Sequence, residues 1–279
     1  MIEIPVAIPG GIEYLAGDLA KGGTDGAIII SGWGGTRYGP QRILLQTARA
    51  LADAGLTTLR LDFRGRGDSP GDPGTVTLDE MIEDVTMAAE WLRTEHDVTR
   101  LHLIGICSGG NVALGVASQL PAVAQVVCWS LLPFMEHKAQ ASRQGTPRWT
   151  LLKQFIRKAF RPEAWRKLLR GEANVKGAVK VLAKDKEGDA AEQARKTSHR
   201  DILADLAGYQ GRICLLYGSR DPESAGSRTF FTDWAARRRI TCDTHTIDGA
   251  PHNFYTTAWT TAVVRQTVEW VINTPSMAE

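Results

Sequence analysis

The chain has 279 residues, of which 43% are apolar and 23% are charged, and this balance excludes intrinsic disorder and fibrous repeats. Its 33 Lys and Arg residues nearly equal its 31 Asp and Glu residues, so we expect no nucleic-acid partner and no general attraction to membranes. No segment approaches the roughly 18 consecutive apolar residues of a membrane span, and the first residues lack a signal-peptide pattern. We therefore expect a globular protein with a cytoplasmic location.

The first half of the chain alternates short β-branched runs with longer helical patterns. Strands at 2–8 and 12–19 are predicted to form a hairpin, because Gly10 and Gly11 separate them. The pattern then predicts strands at 26–31, 56–62, 100–105 and 125–131, and helices at 40–54, 78–95 and 109–119. Strands that alternate with helices in this way are typical of a mostly parallel sheet covered by helices.

The pattern changes in the middle of the chain. Residues 135–208 contain no strand-like run, and they show helical spacing at 150–160 and 163–183. Alternation then returns with strands at 212–218 and 241–247 and helices at 225–238 and 257–273. We therefore predict one sheet of about eight strands, formed by residues 1–134 and 209–279 and interrupted by a helical insertion at 135–208.

The four cysteines lie far apart, with no CxxC pair and no histidine at metal-binding spacing. The sequence therefore predicts free thiols, no metal and no other cofactor. Three of these residues lie inside or beside apolar runs, whereas Cys107 immediately follows a predicted strand.

The predicted strand and the helix around this cysteine are joined by Gly105-Ile106-Cys107-Ser108-Gly109. A nucleophile elbow needs small residues two positions before and two positions after the nucleophile, because the tight turn leaves no room for a branched side chain. Gly105 and Gly109 meet this requirement for Cys107. A nucleophilic Ser108 would place Ile106 at the first small position, so the pattern favours Cys107. Ser108 and an inert glycine-rich turn are the alternatives.

Six segments follow one another along the chain: GWGGTRYGPQR, DFRGRGDSPG, GICSGG, a basic helical segment, GSRDP and GAPHNF. This series resembles the α/β-hydrolase family over essentially the whole chain. It is similar to the members with a cysteine at the elbow, such as dienelactone hydrolases and polyhydroxyalkanoate synthases, and it most resembles the hydrolases that accompany bacterial exosortase systems. The resemblance implies an α/β-hydrolase fold, with helices on both faces of the sheet and an inserted helical cap.

The resemblance also implies partners for Cys107, because a thiol nucleophile needs a base and an orienting carboxylate. His252 follows the last strand, at the position of the family's histidine. Asp221 follows the strand at 212–218, at the position of the family's acid. Asp248, four residues before His252, is the alternative carboxylate.

Acyl transfer also needs donors that stabilise the oxyanion, and the family uses two backbone amides for this purpose. In this chain the two amides would belong to Trp33 and Ser108. The family often has a histidine where this chain has Ser31, which leaves the contribution of Trp33 open. The segment 62–69 (DFRGRGDS) resembles a structural turn, so we assign it no chemistry.

Residues 135–211 contain 17 Lys and Arg against nine Asp and Glu, so the positive charge of the chain is concentrated in the insertion. In this family such an insertion covers the active site. A basic cap would attract an anionic acyl substrate, coenzyme A thioesters or an acidic acyl carrier protein. A solvated helix surface is the alternative interpretation, and we expect no membrane contact.

The sequence thus predicts hydrolysis of an ester, thioester or lactone through a thioester acyl-enzyme on Cys107, without a metal or redox cofactor. An acyltransferase that passes the acyl group to an amine or alcohol is a second hypothesis. A binding module that keeps the fold without catalysis is the third.

Overall fold

The computed structural model describes residues 2–10, 13–133 and 195–273. The insertion predicted at 135–208 lies outside the described residues up to residue 194, and only its last part can be compared. Among the helices in the described ranges, none is both long and apolar enough to cross a membrane.

The described chain contains eight strands and six α-helices. The strands are β1 (Glu3–Ile8), β2 (Leu15–Ala20), β3 (Asp25–Ile30), β4 (Thr57–Leu61), β5 (Arg100–Ile106), β6 (Val123–Trp129), β7 (Arg212–Gly218) and β8 (Thr241–Ile247). The helices are α1 (Ile43–Asp53), α2 (Leu78–Glu95), α3 (Ser108–Ala117), α4 (Ile202–Asp205), α5 (Ser224–Arg238) and α6 (Thr257–Ile272).

All eight strands form one sheet in the order β1-β2-β4-β3-β5-β6-β7-β8. The pairs β1 with β2 and β2 with β4 are antiparallel, and all other pairs are parallel. The predicted opening hairpin and the mostly parallel sheet of eight strands are therefore confirmed. The parallel arrangement brings the carboxyl ends of β5, β6, β7 and β8 to one edge of the sheet, where ligand sites of such sheets occur.

The central strands are apolar on both faces because helices cover the sheet on both sides. Ile28 and Ile30 of β3 join the core cluster that contains the buried residues of α2, α3, α4 and α5. Ile29, between them, points to the second cluster with α1 and α6. The edge strand β8 is largely polar and only half-buried, so Cys242 is half-buried while Cys128 and Cys214 are buried. All four thiols are free, as predicted.

Helix α2 has the predicted bounds, and α1 begins later than predicted. Thr77 caps α2, and the side chains of Thr77 and Glu80 each bind the other's backbone amide in a capping box. The segment predicted to open α1 is instead a 3₁₀ turn in which Gln41 and Arg42 have φ of 49° and 59°. Because these backbone conformations are left-handed, the α-helix can begin only at Ile43.

A buried ion-pair network connects the loop after β3 with the turn after β4. Arg37 binds Asp18 at 2.9 Å and Asp68 at 2.7 Å, and it also pairs with the fully buried Asp62. The Asp62 carboxylate also accepts the backbone amide of Arg37 at 2.7 Å. Within the DFRGRGDS segment the Asp62 carboxylate accepts the amide of Asp68 at 3.1 Å, and the Ser69 hydroxyl donates to the Asp62 carbonyl at 2.7 Å, so the segment is a structural turn, as the resemblance implied.

Replacing Arg37 by Met should lower the free energy of unfolding by about 3 to 5 kcal/mol, because Asp62 is left buried without its cation. The control is Arg93→Met, which breaks the exposed pair with Glu90 at 2.8 Å and should cost under about 1 kcal/mol. Urea denaturation of both variants measures the two losses. Equal losses would contradict a stabilising role for the buried network.

Candidate active site

The turn between β5 and α3 holds Cys107 in a strained backbone conformation, with φ of 55° and ψ of −122°. Non-glycine residues rarely adopt such a conformation, and where it occurs the surrounding structure must hold it in place. Here the backbone amide of Cys107 donates to the carbonyl of Trp129 at 2.8 Å. The carbonyl of Cys107 accepts from the amide of Gly110 at 3.0 Å, so the turn is fixed on both sides.

Two glycines make this turn sterically possible. A Cβ atom at Gly105 would collide with the carbonyl oxygen of Gly109. A Cβ atom at Gly109 would lie 2.5 Å from the carbonyl oxygen of Ser31. The strand, the helix and the loop after β3 therefore meet at distances that only glycine tolerates.

His252 and Asp221 come from the loops after β8 and β7 and lie in direct contact. His252 Nδ1 donates to Asp221 Oδ2 at 2.8 Å, and the other carboxylate oxygen accepts the amide of Glu223 at 3.2 Å. A Cβ atom at Gly218, the last residue of β7, would collide with the carbonyl oxygen of Ala250. The two loops can therefore approach closely enough to form the pair.

The environment of this pair shifts both pKa values in the directions that favour the charged forms. The hydrogen bond to Asp221, together with one to Cys107, raises the pKa of His252 to about 10. Burial alone would raise the pKa of Asp221, but hydrogen bonds from His252 and from the Glu223 amide hold this pKa below its usual value. At neutral pH the pair is therefore an imidazolium and a carboxylate.

The structure brings Cys107, rather than Ser108, to His252. The thiol of Cys107 lies close enough to the imidazole to help raise the pKa of His252. The hydroxyl oxygen of Ser108 is buried and has no hydrogen-bond partner among the described residues. The carboxylate that His252 Nδ1 binds is that of Asp221, whereas Asp248 accepts from the Ser219 hydroxyl at 3.1 Å. The geometry thus joins Cys107, His252 and Asp221 and leaves both alternatives outside.

The loop after β3 lies beside the nucleophile. A Cβ atom at Gly32 would lie 3.6 Å from Cβ of Cys107 and 3.8 Å from Oγ of Ser108. Trp33 follows this glycine, and Ser108 is the first residue of α3. The residues whose amides the sequence assigns to the oxyanion hole, Trp33 and Ser108, therefore directly follow Gly32 and Cys107, which lie next to each other. The hydroxyl of Ser31 donates to the carbonyl of Gly35 at 3.3 Å, within the same loop.

Two features of the site have no clear signal in the sequence. The indole ring of Trp33 lies under two cations, with the Arg66 guanidinium at 5.4 Å and the Lys196 ammonium at 5.5 Å from its centre. In addition, Ser130 is fully buried and its hydroxyl donates to the carbonyl of His252 at 2.8 Å. A serine after an apolar strand is common, so nothing in the sequence distinguishes this one.

Other histidines of the described chain have ordinary structural surroundings. His102 is buried and its Nδ1 lies 2.7 Å from Oε1 of Gln125, while His96 packs edge-on against Trp91. His137 lies outside the described residues. Within the described ranges no three His, Cys, Asp or Glu side chains converge as metal ligands.

A mostly parallel, doubly covered sheet with a strained elbow after β5 defines the α/β-hydrolase class. The chain belongs to the alpha/beta hydrolase family, whose model matches residues 27–266.

Solved structures and a curated relative are similar to the chain. A dienelactone hydrolase from Anabaena variabilis is 18% identical, with a TM-score of 0.63 and coverage of 99% of both chains. An esterase from Pyrococcus furiosus is 18% identical, with a TM-score of 0.66 and coverage of 97% of this chain and 90% of the esterase. At such identity these likenesses show the fold alone. An uncharacterized protein from Mycobacterium tuberculosis is 33% identical over 109 residues, so the chain spans only 37% of this relative's length.

The raised pKa of His252 makes the stability of the protein depend on pH. A group with a raised pKa stabilises the fold fully below its unfolded value near 6.5, and this contribution is lost as the pH rises through about 10. We therefore expect His252→Gln to lower the free energy of unfolding more at about pH 6 than at about pH 10.5. Urea denaturation at the two pH values measures this difference.

The control for this experiment is the same substitution in an Asp221→Asn background. Because the hydrogen bond to Asp221 is the largest cause of the raised pKa, most of the pH dependence should disappear there. A pH dependence that is unchanged in the double variant would contradict the assignment of the interaction to this pair.

Proposed function

We propose that this protein hydrolyses an ester, thioester or lactone through a thioester acyl-enzyme on Cys107. The observation that carries the proposal is that His252 hydrogen-bonds Asp221 through Nδ1 at 2.8 Å and also contacts the Cys107 thiol. A nucleophile, a base and an orienting carboxylate in mutual contact are what acyl transfer requires.

In the first half of the reaction, Sγ of Cys107 attacks the carbonyl carbon of the substrate. The amides of Trp33 and Ser108 stabilise the negative oxygen of the tetrahedral intermediate. The bond to the leaving group then breaks, and His252 gives its proton to the departing oxygen or sulfur. In the second half, His252 takes a proton from water, which attacks the thioester, and the acid product leaves with Cys107 restored.

The protonation state of His252 supports a sulfur nucleophile in particular. With a pKa of about 10 the imidazole is protonated at neutral pH. A serine hydroxyl would need a neutral imidazole to take its proton, whereas a thiolate uses an imidazolium as its counter-ion. Because part of this shift comes from Cys107 itself, the position of Cys107 at the elbow is what leads us to propose a cysteine-nucleophile member of the family. Membership of the chain in the group of hydrolases that accompany exosortase systems stays a prediction.

Charge near the site supports an anionic acyl substrate. Arg66 and Lys196 both lie over Trp33, beside the proposed oxyanion hole. Within the described residues Arg66 has no carboxylate at ion-pair distance, whereas Arg37, Arg60 and Arg64 all have one. A free acid, a coenzyme A thioester or an acyl carrier protein would complement this charge. The helical cap at 135–208 and its contact with a carrier protein stay predictions. The cytoplasmic location is also still a prediction.

The reactivity of Cys107 towards iodoacetamide tests the pair of thiol and imidazole without a substrate. At pH 7 we expect Cys107 to react at least about tenfold faster than the half-buried Cys242 of the same molecule. His252→Ala should remove this advantage, because the imidazolium that stabilises the thiolate is lost. Peptide mass spectrometry measures both rates. A Cys107 that reacts like Cys242, with no effect of His252→Ala, would leave only the hypothesis of a non-catalytic binding module.

Hydrolysis of p-nitrophenyl butyrate tests the acyl-enzyme. Nitrophenol release should vanish in Cys107→Ala and fall at least about a hundredfold in His252→Ala. Intact-protein mass spectrometry of the wild type should show a transient mass increase of one butyryl group on Cys107. Nitrophenol release that persists in Cys107→Ala would contradict the proposed nucleophile. If added hydroxylamine captured nearly all acyl groups while water captured almost none, the acyltransferase hypothesis would replace hydrolysis.

A further inference from the structure

Ser130 directly follows the strand that separates the proposed nucleophile from the proposed acid. Cys107 follows β5, Asp221 follows β7, and β6 lies between these two strands in the sheet. Ser130 is the first residue after β6 and is fully buried. It therefore lies at the same edge of the sheet as the triad, between the ends of the strands that carry it.

The end of β6 touches all three members of the proposed triad. The carbonyl of Trp129 accepts the amide of Cys107 at 2.8 Å. The hydroxyl of Ser130 donates to the carbonyl of His252 at 2.8 Å. The same side chain lies near the Asp221 carboxylate. Because its single hydroxyl proton is donated to the His252 carbonyl, Ser130 holds the main chain of the base next to the acid.

The backbone of Ser130 is itself held in an unusual conformation. Its φ is 47°, in the left-handed region that serine rarely adopts. Its amide donates to the carbonyl of Leu216 in β7 at 2.8 Å. The next carbonyl, that of Leu131, accepts the hydroxyls of Tyr217 and Ser227. Three buried hydrogen bonds therefore turn the chain after β6 so that the Ser130 hydroxyl points at the triad.

We propose that Ser130 is a positioning residue. It holds the loop of His252 beside Asp221, so that the imidazole can transfer protons in the reaction of Cys107. This inference rests on the proposed function, because the position of the imidazole matters only if it serves a reaction. His252 is the member that needs such support, since its loop between β8 and α6 is half-exposed while Asp221 is buried. Without the hydroxyl, the hydrogen bond that joins the end of β6 to the His252 carbonyl would be lost.

Ser130→Ala removes the hydroxyl and keeps the strained backbone, and Ser227→Ala is the matched control. Ser227 is equally buried and donates to the adjacent carbonyl of Leu131, but among its hydrogen bonds none reaches His252 or Asp221. If the buried hydroxyls of this segment only stabilise the fold, Ser130→Ala and Ser227→Ala should give the same result. Ser130→Gly accepts the positive φ without strain, so it provides a second test if the alanine variant folds poorly.

The first readout is the pKa of His252. It is measured by NMR of the histidine ring carbons, and the His252 signal is assigned by its absence in His252→Gln. In Ser130→Ala this pKa should fall by about one unit, because a displaced loop weakens the bond between Nδ1 and Asp221. In Ser227→Ala it should stay at the wild-type value. The second readout is hydrolysis of p-nitrophenyl butyrate, for which kcat should fall roughly tenfold to a hundredfold in Ser130→Ala alone.

A His252 pKa that is unchanged or raised in Ser130→Ala, or equal shifts in both serine variants, would overturn the inference. This readout needs no substrate, so it separates the inference from the proposed function. A lower pKa in Ser130→Ala, in a protein that hydrolyses no ester, would support the positioning role and contradict the proposed function. If Ser130→Ala hydrolysed the ester normally and its His252 pKa were unchanged, the proposed function would be supported and the positioning role of Ser130 contradicted.

Discussion

The structure of the site depends on the close approach of β5, α3 and the loop after β3. At this point Gly105 and Gly109 leave no space for a Cβ atom, and Cys107 is forced into a backbone conformation that costs about 1 to 3 kcal/mol. Such strain persists only where the surroundings compensate for it, and here the carbonyl of Trp129 holds the Cys107 amide. The result is a thiol that projects from the edge of the sheet at the first turn of a helix, beside the loop of Trp33.

The order of the parallel strands then brings together groups that are distant in the chain. Because β5, β6, β7 and β8 are neighbours and run in one direction, their carboxyl ends contribute Cys107, Ser130, Asp221 and His252 in turn. Each parallel neighbour needs a connection that returns over the face of the sheet, and α3 and α5 provide this connection from β5 to β6 and from β7 to β8. The same packing that buries the apolar residues of the sheet therefore also assembles the site.

Much of this arrangement could be predicted from local patterns, since a strand or a capped helix is largely specified by its own residues. The eight strands and α2 follow from periodicity, and Gly105 and Gly109 indicate the elbow. Features that depend on tertiary contacts could not be predicted. The left-handed Gln41 and Arg42 and the role of Ser130 depend on neighbours far away in the chain.

The two causes of the raised His252 pKa differ in what happens to them once sulfur carries an acyl group. The hydrogen bond to Asp221 remains, but the hydrogen bond and the charge attraction from Cys107 require a free thiol or thiolate. In an acyl-enzyme the sulfur is uncharged, so the imidazole lacks this partner and its pKa is lower than in the free enzyme. In the proposed reaction His252 has by then given its proton to the leaving group, and the lower pKa keeps the imidazole neutral at the stage at which it must take a proton from water. Under the proposed mechanism, a cysteine in this position therefore couples the protonation state of His252 to the progress of the reaction, whereas a serine, which is neutral in the free enzyme, would not.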